Sequence, residues 1–406
     1  MSAVLSPATP TRALRRARVA VAVCFALNAI FYANLVPRLP ELRDDLGLSN
    51  SALGLALAGV PLGALVLGPA AAVLVRRYSS GLVASYGSIV LGIGVAAVAV
   101  APNWPVLAAV LVVVGGMDAI VDVAQNAHGL RVQRGYGRSI LNALHGLWSL
   151  GAVAGGLLGS AAAGLGIPLG WHLGVMAVVF GLVALAIARW MLPGPDTAEP
   201  TEPPADLAAP GGRSARRGAV LALAVLGTLA AAAAFVEDSA SSWSAIWLRD
   251  DLAATAAVAG LGFVAFQVAM TLGRLTGDRV VDRFGQRRVA RIGGAVVASG
   301  VGLMLAVPTV PTTLLGYALA GVGVATLVPA VYAAADGLPG LRPGVGLTAV
   351  NWLLRIGFLV SPPLVGLIAD LTGLRAGLLV VVVAGLLVLV LGRSLRTTVS
   401  PVEGTG

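Results

Sequence analysis

The sequence is poor in charge, cysteine and histidine. Only 11% of its 406 residues are charged, whereas an average soluble domain has roughly 25%. So few polar groups could not cover a folded surface in water, which excludes a soluble enzyme, a nucleic-acid-binding domain and a disordered scaffold. One cysteine, Cys24, and three histidines leave no disulfide framework and no zinc-binding pattern. We therefore expect neither a cofactor nor a metal.

Apolar residues make up 58% of the chain, and its mean hydropathy is +0.91. Crossing about 30 Å of hydrocarbon takes roughly 20 helical residues at 1.5 Å each. About twelve runs reach this length, among them a fourth at 105–129 and a seventh at 218–248. They are longer than the strands of a membrane barrel, which have about ten alternating residues. The sequence therefore predicts an all-α integral membrane protein, embedded in the lipid bilayer.

A stretch rich in proline and acid divides these runs into six and six. Its composition is typical of a disordered linker, and the equal division is typical of transporters with internal repeats. We predict a cytoplasmic tail at 1–16, a bundle at 17–192, a linker at 193–217, a second bundle at 218–393 and a tail at 394–406.

All 27 basic residues are arginine, and lysine is absent. With a cytoplasmic N-terminus, 21 arginines lie on inner segments and four in outer loops, namely Arg38, Arg43, Arg249 and Arg375. This asymmetry follows the positive-inside rule. It places both termini on the cytoplasmic side of a bacterial inner (plasma) membrane. The net charge of +9 therefore reflects topology and does not predict a nucleic-acid partner.

The loop after the eighth run has the sequence DRFGQRR at 282–288. It resembles the signature that the major facilitator superfamily carries in such cytoplasmic loops. That resemblance implies a cytoplasmic gate, in which Asp282 would cap the start of the fifth span; alternatively, Asp282 pairs with the arginines beside it. The gate residues would be Asp282, Arg283, Gly285, Arg287 and Arg288.

Four glycines of the fifth run resemble the glycine pattern of proton-coupled exporters in the same superfamily, which implies a role in sealing the export path. Small residues four apart also allow two helices to approach closely, so helix packing is the alternative. These residues are Gly151, Gly155, Gly156 and Gly159.

A wider resemblance covers nearly the whole chain. Five segments, at 38–49, 122–130, 144–155, 243–252 and 273–285, resemble the MosC-like branch of the superfamily. The resemblance implies the major facilitator fold, with two pseudo-symmetric six-helix bundles, and secondary transport. It supplies no substrate.

Two adjacent acids, Glu237 and Asp238, lie in the seventh run, about 100° apart around a helix. One can face a cavity while the other faces a neighbouring helix. Two carboxylates this close in a low dielectric are not expected to ionise together, so one would hold a proton, as a coupling site requires. An acid pair in a water-filled vestibule is the alternative. Trp243 and Trp247 follow, and we expect them in an interfacial aromatic belt.

Asp118 and Asp122 recur four residues apart on the fourth run and share one helix face. His145 on the fifth run lies at a similar depth to Asp122, so a histidine–carboxylate pair that handles protons is geometrically plausible. Alternatively, His145 only bridges helices through hydrogen bonds.

Arg355 is the cation nearest mid-membrane. It could be the counter-ion of Glu237, Asp238 or Asp118, a clamp for an anionic solute, or part of a structural ion pair. Further candidates for solute contact are polar residues on spans expected to line a cavity: Asn28, Tyr32, Gln267 and Asn351.

These observations predict a monomeric secondary transporter that exchanges a small organic solute and protons by alternating access. The glycine pattern favours export. Uptake of a polar or sugar-like metabolite, a non-transporting receptor of the same fold and, third, an embedded enzyme are the alternatives. No phosphate-binding loop is present, which excludes an ATP-driven motor within the chain.

Overall fold

The computed structural model describes residues 11–137, 139–194, 196, 213–336, 338, 341 and 344–395, with only the backbone of 213–217. Most of the predicted linker at 193–217 therefore lies outside the described residues. So do most of the predicted tails, at 1–16 and 394–406, and three arginines assigned to inner segments, Arg138, Arg342 and Arg396.

All regular structure in these described ranges is helical. The first nine α-helices are α1 (Arg12–Leu35), α2 (Leu39–Asp45), α3 (Asn50–Leu57), α4 (Gly59–Leu67), α5 (Ala70–Tyr78), α6 (Ser80–Val98), α7 (Trp104–Tyr136), α8 (Leu141–Gly164) and α9 (Leu169–Ala188). The other nine are α10 (Arg213–Ser242), α11 (Ser244–Ile246), α12 (Ala256–Ala259), α13 (Leu261–Phe284), α14 (Gln286–Ala306), α15 (Val310–Val324), α16 (Leu327–Asp336), α17 (Val345–Thr372) and α18 (Leu374–Leu391). Two 3₁₀ turns, Val36–Arg38 and Gly392–Ser394, and a π-helix, Trp247–Asp251, complete the described helices.

Within the described residues, twelve segments are long and apolar enough to cross a membrane, which confirms the predicted number. The second, eighth and tenth spans each combine two helices: Asn50–Leu67, Ala256–Phe284 and Val310–Asp336. The fourth span continues beyond its predicted end to Tyr136, where Gly137 closes the helix with a φ of +63°.

The seventh span ends earlier than predicted, at Ser242. The hydroxyls of Ser241 and Ser244 donate to the carbonyls of Glu237 and Ala240, four residues back. Serine hydroxyls that bond in this way compete with the helical ladder and bend it. The chain therefore leaves α10 at the serines and continues as short helical turns.

The chain forms two compact units. The first unit comprises Met1–Leu42 and Gly59–Ala198, and the second comprises Arg43–Ala58 and Glu199–Gly406. The second span is thus shared, since α3 belongs to the second unit and α4 to the first. Within the second unit, Asp370 accepts hydrogen bonds from the backbone N–H groups of Asn50 and Ser51 at 2.9 and 2.8 Å. This carboxylate caps α3 and attaches it to the end of α17.

In the first unit, the glycines of α8 face α1. A Cβ atom at Gly151, Gly155 or Gly159 would overlap the backbone of α1, and Gly156 is buried as well. Without side chains, the two helices approach backbone to backbone, as is common in membrane bundles. The structure therefore supports the packing interpretation of these glycines.

In the second unit, glycine contacts also bring helices close together. Gly293 of α14 meets Gly323 of α15, and Gly294 meets Gly385 of α18. Between α10 and α17, a Cβ at Gly357 would fall 2.8 Å from the Ala231 Cα. The close approach of α10 and α17 brings Asp238 and Ser361 together, as described below.

Candidate functional site

A buried polar set in the first unit joins α1, α7 and α8. The Asn28 Nδ2 donates to Asp118 Oδ1 at 2.8 Å, and the Trp148 Nε1 donates to Asn28 Oδ1 at 2.9 Å. Asn28 is only 2% exposed, and Asp118 is half-buried. The amide therefore donates on one side and accepts on the other, which fixes its orientation. We call Asn28, Asp118 and Trp148 the amide set.

The amide set lies near the middle of α7. Asp118 is 14 residues after the start of α7, which is about 21 Å along a helix of 1.5 Å per residue. Tyr32 follows Asn28 by four residues, so it lies on the same face of α1 and is half-buried. Together they offer a carboxylate, an amide and aromatic rings for contact with a polar solute.

A second buried polar set, in the second unit, joins α10 and α17. Asp238 is 7% exposed. Its Oδ1 accepts from the Ser242 hydroxyl at 2.8 Å, and its Oδ2 accepts from the Ser361 hydroxyl at 2.7 Å. Each carboxylate oxygen therefore has one hydroxyl donor. We call Asp238, Ser242 and Ser361 the carboxylate set.

The local sequence explains how the carboxylate set forms. Ser242 follows Asp238 by one helical turn, and Ser361 follows Gly357, where α10 and α17 approach closely, also by one turn. Pro362 and Pro363 come directly after Ser361 inside α17. Because proline has no N–H, each removes one helical hydrogen bond at this point. The helix is thus weakened beside the buried carboxylate.

Two further polar side chains lie in the same unit. The Tyr317 hydroxyl of α15 donates to the Ser239 carbonyl at 3.5 Å. Gln267 of α13 is 3% exposed, and its Nε2 has no hydrogen-bond partner among the described residues. A buried amide donor without a partner is unfavourable, and the predicted contact of Gln267 with a solute stays a prediction.

The adjacent acids have different environments, as predicted. Asp238 faces α17, whereas Glu237 is half-buried. No described residue of the second unit donates a hydrogen bond to the Glu237 carboxylate. Asp238 is therefore the buried, hydrogen-bonded acid of the pair.

Arg355 is one candidate counter-ion for these acids, and that role stays a prediction. It is half-buried, and among the described residues of the second unit it forms no ion pair with Glu237 or Asp238. Six residues separate it from Ser361, which places the two about 120° apart on α17. Instead it follows Asn351 by one turn, and the Tyr332 hydroxyl of α16 donates to Asn351 Oδ1 at 2.9 Å.

The structure gives Asp122 and His145 separate hydrogen-bond partners. Asp122 is exposed and accepts from Gln125 Nε2 and Asn126 Nδ2 of its own helix, at 3.2 and 3.1 Å. The His145 Nδ1 donates to the Leu141 carbonyl at 3.0 Å, and its ring meets Phe25 edge-on at 5.2 Å. Their pairing therefore stays a prediction.

The segment predicted as a cytoplasmic gate covers the end of α13 and the start of α14, with Gly285 between the two helices. Gly285 is buried and has a φ of +79°, a conformation that favours glycine. Arg287 is half-buried, Arg288 is exposed, and the Arg283 guanidinium lies 5.6 Å from the Phe284 ring centre. Asp282 is exposed, and no described arginine of the second unit pairs with it. Its capping of the fifth span stays a prediction.

Arg38, predicted in an outer loop, is 1% exposed. Its Nε donates to Glu41 at 2.7 Å, and its terminal nitrogens donate to the Ile167 carbonyl at 2.7 Å and His172 Nδ1 at 3.3 Å. His172 Nε2 then donates to Asn34 Oδ1 at 3.1 Å. Only the spacing of Arg38 and Glu41 could have indicated this cluster.

A second unpredicted cluster lies where α6 begins. The Leu192 N–H donates to His128 Nε2 at 3.2 Å, His128 Nδ1 donates to the Ser80 hydroxyl at 3.0 Å, and that hydroxyl donates to Asp196 at 2.8 Å. Arg131 also pairs with Asp196 at 3.5 Å. These bonds attach the segment after α9 to α6 and α7.

The predicted interfacial positions of Trp243 and Trp247 are wrong. Both are buried, and the Trp247 Nε1 donates to Thr313 Oγ1 of α15 at 3.1 Å. Since α10 ends at Ser242, the following turns carry these rings into the second unit. Beside them, Arg43 pairs with Asp250 at 2.6 Å. Desolvation, and next the Asp250 charge, raise the pKa of Asp251 above its ordinary value.

A family model described as Major Facilitator Superfamily matches residues 21–237 and 226–405. The chain is 29% identical over 381 residues to an uncharacterized transporter of Sinorhizobium fredii, which covers 93% of this chain and 97% of that protein. Membrane protein MosC of Rhizobium meliloti is 28% identical over 370 residues, which covers 91% and 88% of the two chains. These matches confirm the resemblance to the MosC-like branch.

Two solved structures share the fold. A bacterial homolog of the human lysosomal transporter Spinster, inward-facing and unoccupied, matches with a TM-score of 0.74 and 17% identity, over 95% of this chain and 98% of that one. The nucleoside transporter NupG matches with a TM-score of 0.70 and 12% identity, over 94% and 98%. At identities this low, the two matches show the fold alone, and the matches confirm the predicted architecture.

Proposed function

The chain belongs to the Major Facilitator Superfamily, and on that premise we propose that it is a proton-coupled secondary transporter of a small organic solute. It works by alternating access in a bacterial inner membrane, with both termini in the cytoplasm. The positive-inside distribution of arginines supports this orientation. No catalytic step is part of the proposal.

The observation that carries proton coupling is the carboxylate set. An ionised Asp238 can accept hydrogen bonds from both Ser242 and Ser361, and the structure contains both bonds. A protonated Asp238 carries a donor on one oxygen, and a serine hydroxyl beside it can turn and accept from that donor. Protonation therefore changes the link between α10 and α17. Coupling requires such a difference in stability between two conformations.

In the first unit, the amide set and Tyr32 are the proposed solute contacts. Asn28 and Asp118 supply polar groups, while Tyr32 and Trp148 supply aromatic surface. A solute with both polar and apolar parts fits this composition. We assign the direction as export because the glycines of α8 resemble the exporter pattern; uptake of a polar metabolite by the same contacts is the alternative.

The test uses purified protein in proteoliposomes. A thermal-shift screen with metabolites and drug-like compounds first selects ligands, and each ligand is then assayed for flux under an imposed pH gradient in both orientations. We expect flux that collapses with an uncoupler and has the direction of export. Binding without flux under any gradient would contradict transport and favour a receptor. Flux that ignores both the gradient and the uncoupler would contradict proton coupling alone.

A further inference from the structure

An apolar groove lies between α5, α6 and α7 in the first unit. Its volume is about 310 Å³. Aliphatic side chains and a methionine make up most of its walls, and two tyrosines complete them. The lining that matters here consists of Leu74, Tyr78, Leu82, Tyr86, Val90 and Met117.

The groove is open along α6. Leu82, Tyr86 and Val90 follow one another at intervals of four residues, so they form one row on the helix. Each is nearly half exposed, at 45%, 49% and 46%. In a chain with twelve membrane-spanning segments, an exposed apolar row of this kind is covered by lipid.

The length of the groove suits one acyl chain. Leu82 and Val90 are eight residues apart, which is about 12 Å along α6, and Tyr78 extends the groove beyond Leu82. One leaflet contributes about 15 Å of hydrocarbon, half of a bilayer core. The groove therefore runs through most of one leaflet.

Positive charge lies at one end of the groove only. Arg76 and Arg77 occupy the last turn of α5, immediately before Tyr78, and both are exposed. The Arg77 guanidinium lies 5.4 Å from the Tyr78 ring centre, at the end of the groove. The segment from Gly68 to Gly81 contains no acid, and Asp196, which accepts a hydrogen bond from Ser80, pairs with Arg131. This end is therefore complementary to an anionic group.

We propose that the groove binds an anionic phospholipid, with one acyl chain between α5 and α6 and its phosphate at Arg76 and Arg77. Clusters of basic side chains beside membrane helices attract acidic headgroups in this way. The Tyr78 hydroxyl, to which no described residue of the first unit hydrogen-bonds, supplies a donor for the ester region. The site is separate from the amide set and does not depend on the proposed transport.

Native mass spectrometry of the full-length protein tests the headgroup contact, with phosphatidylglycerol and phosphatidylcholine of identical acyl chains as probes. Wild type should prefer phosphatidylglycerol. Arg76→Gln/Arg77→Gln should weaken phosphatidylglycerol binding about 25-fold, since each arginine near a surface contributes about a factor of five. Arg15→Gln/Arg16→Gln removes the same charge from an exposed part of α1 and should change binding less than about twofold. Equal losses in both double variants would overturn the proposal.

A groove-filling substitution tests the acyl-chain contact. Leu82→Trp should reduce binding of both lipids at least about fivefold, because the ring occupies the space of the chain. Ile93→Trp, on an exposed position of α6 outside the groove, is the matched control and should bind as wild type. Unchanged melting temperatures show that the variants fold. Full binding by Leu82→Trp would overturn the proposal even if the arginine variant behaves as expected.

Discussion

The two buried polar sets differ in the group at their centre. In the amide set, Asn28 donates to Asp118 and accepts from Trp148, which uses both sides of a group that does not titrate. In the carboxylate set, Asp238 accepts from two hydroxyls that can each reverse their role. The comparison teaches that the first arrangement fixes a geometry, whereas the second can change with protonation.

The helices that carry the two sets differ in the same way, because those of the amide set are held more firmly than those of the carboxylate set. Glycines along α8 let it pack on α1 over several turns, so the amide set is held between closely packed backbones. The carboxylate set joins α10 and α17 just after Gly357 and immediately before Pro362 and Pro363. The prolines remove helical hydrogen bonds, so α17 can bend where Ser361 contacts Asp238.

We expect the largest effect on stability when a glycine of α8 is substituted. Gly151→Leu places a side chain against the Ala26 backbone, and overpacking of this kind costs about 1–3 kcal/mol or more. We expect a clear fall in melting temperature in detergent. At Gly146 of the same helix, a Cβ meets no atom within 4 Å, so Gly146→Leu is the control. Equal melting of the two variants would contradict backbone-to-backbone packing.

A smaller loss is expected when the centre of the amide set is removed. Asn28→Leu deletes two interhelical hydrogen bonds, each worth about 0.6 kcal/mol and at most about 1.7 in a membrane protein. Stability should fall by about 1–3 kcal/mol, measured by unfolding in detergent. Asn126→Leu is the control, because among the residues that the structure describes Asn126 hydrogen-bonds within α7 alone. If both variants lose the same stability, the amide set does not hold the three helices.

The smallest effect concerns the single hydroxyl of Ser361. Ser361→Ala removes one hydrogen bond to Asp238, about 0.6 kcal/mol. In a double-mutant cycle, Ser361→Ala and Asp238→Asn should show a coupling energy of this order. The same cycle with Ser299→Ala, whose hydroxyl bonds to its own helix, should give none. If the cycle shows no coupling energy at Ser361, the Ser361 hydroxyl does not stabilise the contact between α17 and the Asp238 carboxylate.

The sequence predicted the number of spans and the family resemblance, while the roles of Glu237 and Asp238 stay predictions. Apolar length and charge placement are local properties, so they can be counted along the chain. The partners of the buried groups are not local, because Trp148 lies 120 residues after Asn28 and Ser361 lies 123 residues after Asp238. Nothing in the sequence distinguishes these two from the other tryptophans and serines.

One error has a structural origin. Trp243 and Trp247 were expected at the interface because the seventh span was taken as continuous to 248. Serine hydroxyls end α10 six residues earlier, and the rings turn inward.

The most direct test of the account is the accumulation ratio in proteoliposomes under an imposed pH gradient. One coupled proton supports about tenfold accumulation per unit of pH difference. Wild type and Glu237→Gln should both reach it, whereas Asp238→Asn should exchange solute across the membrane without accumulating it. Accumulation by Asp238→Asn equal to that of wild type would contradict the role of Asp238 as the protonation site.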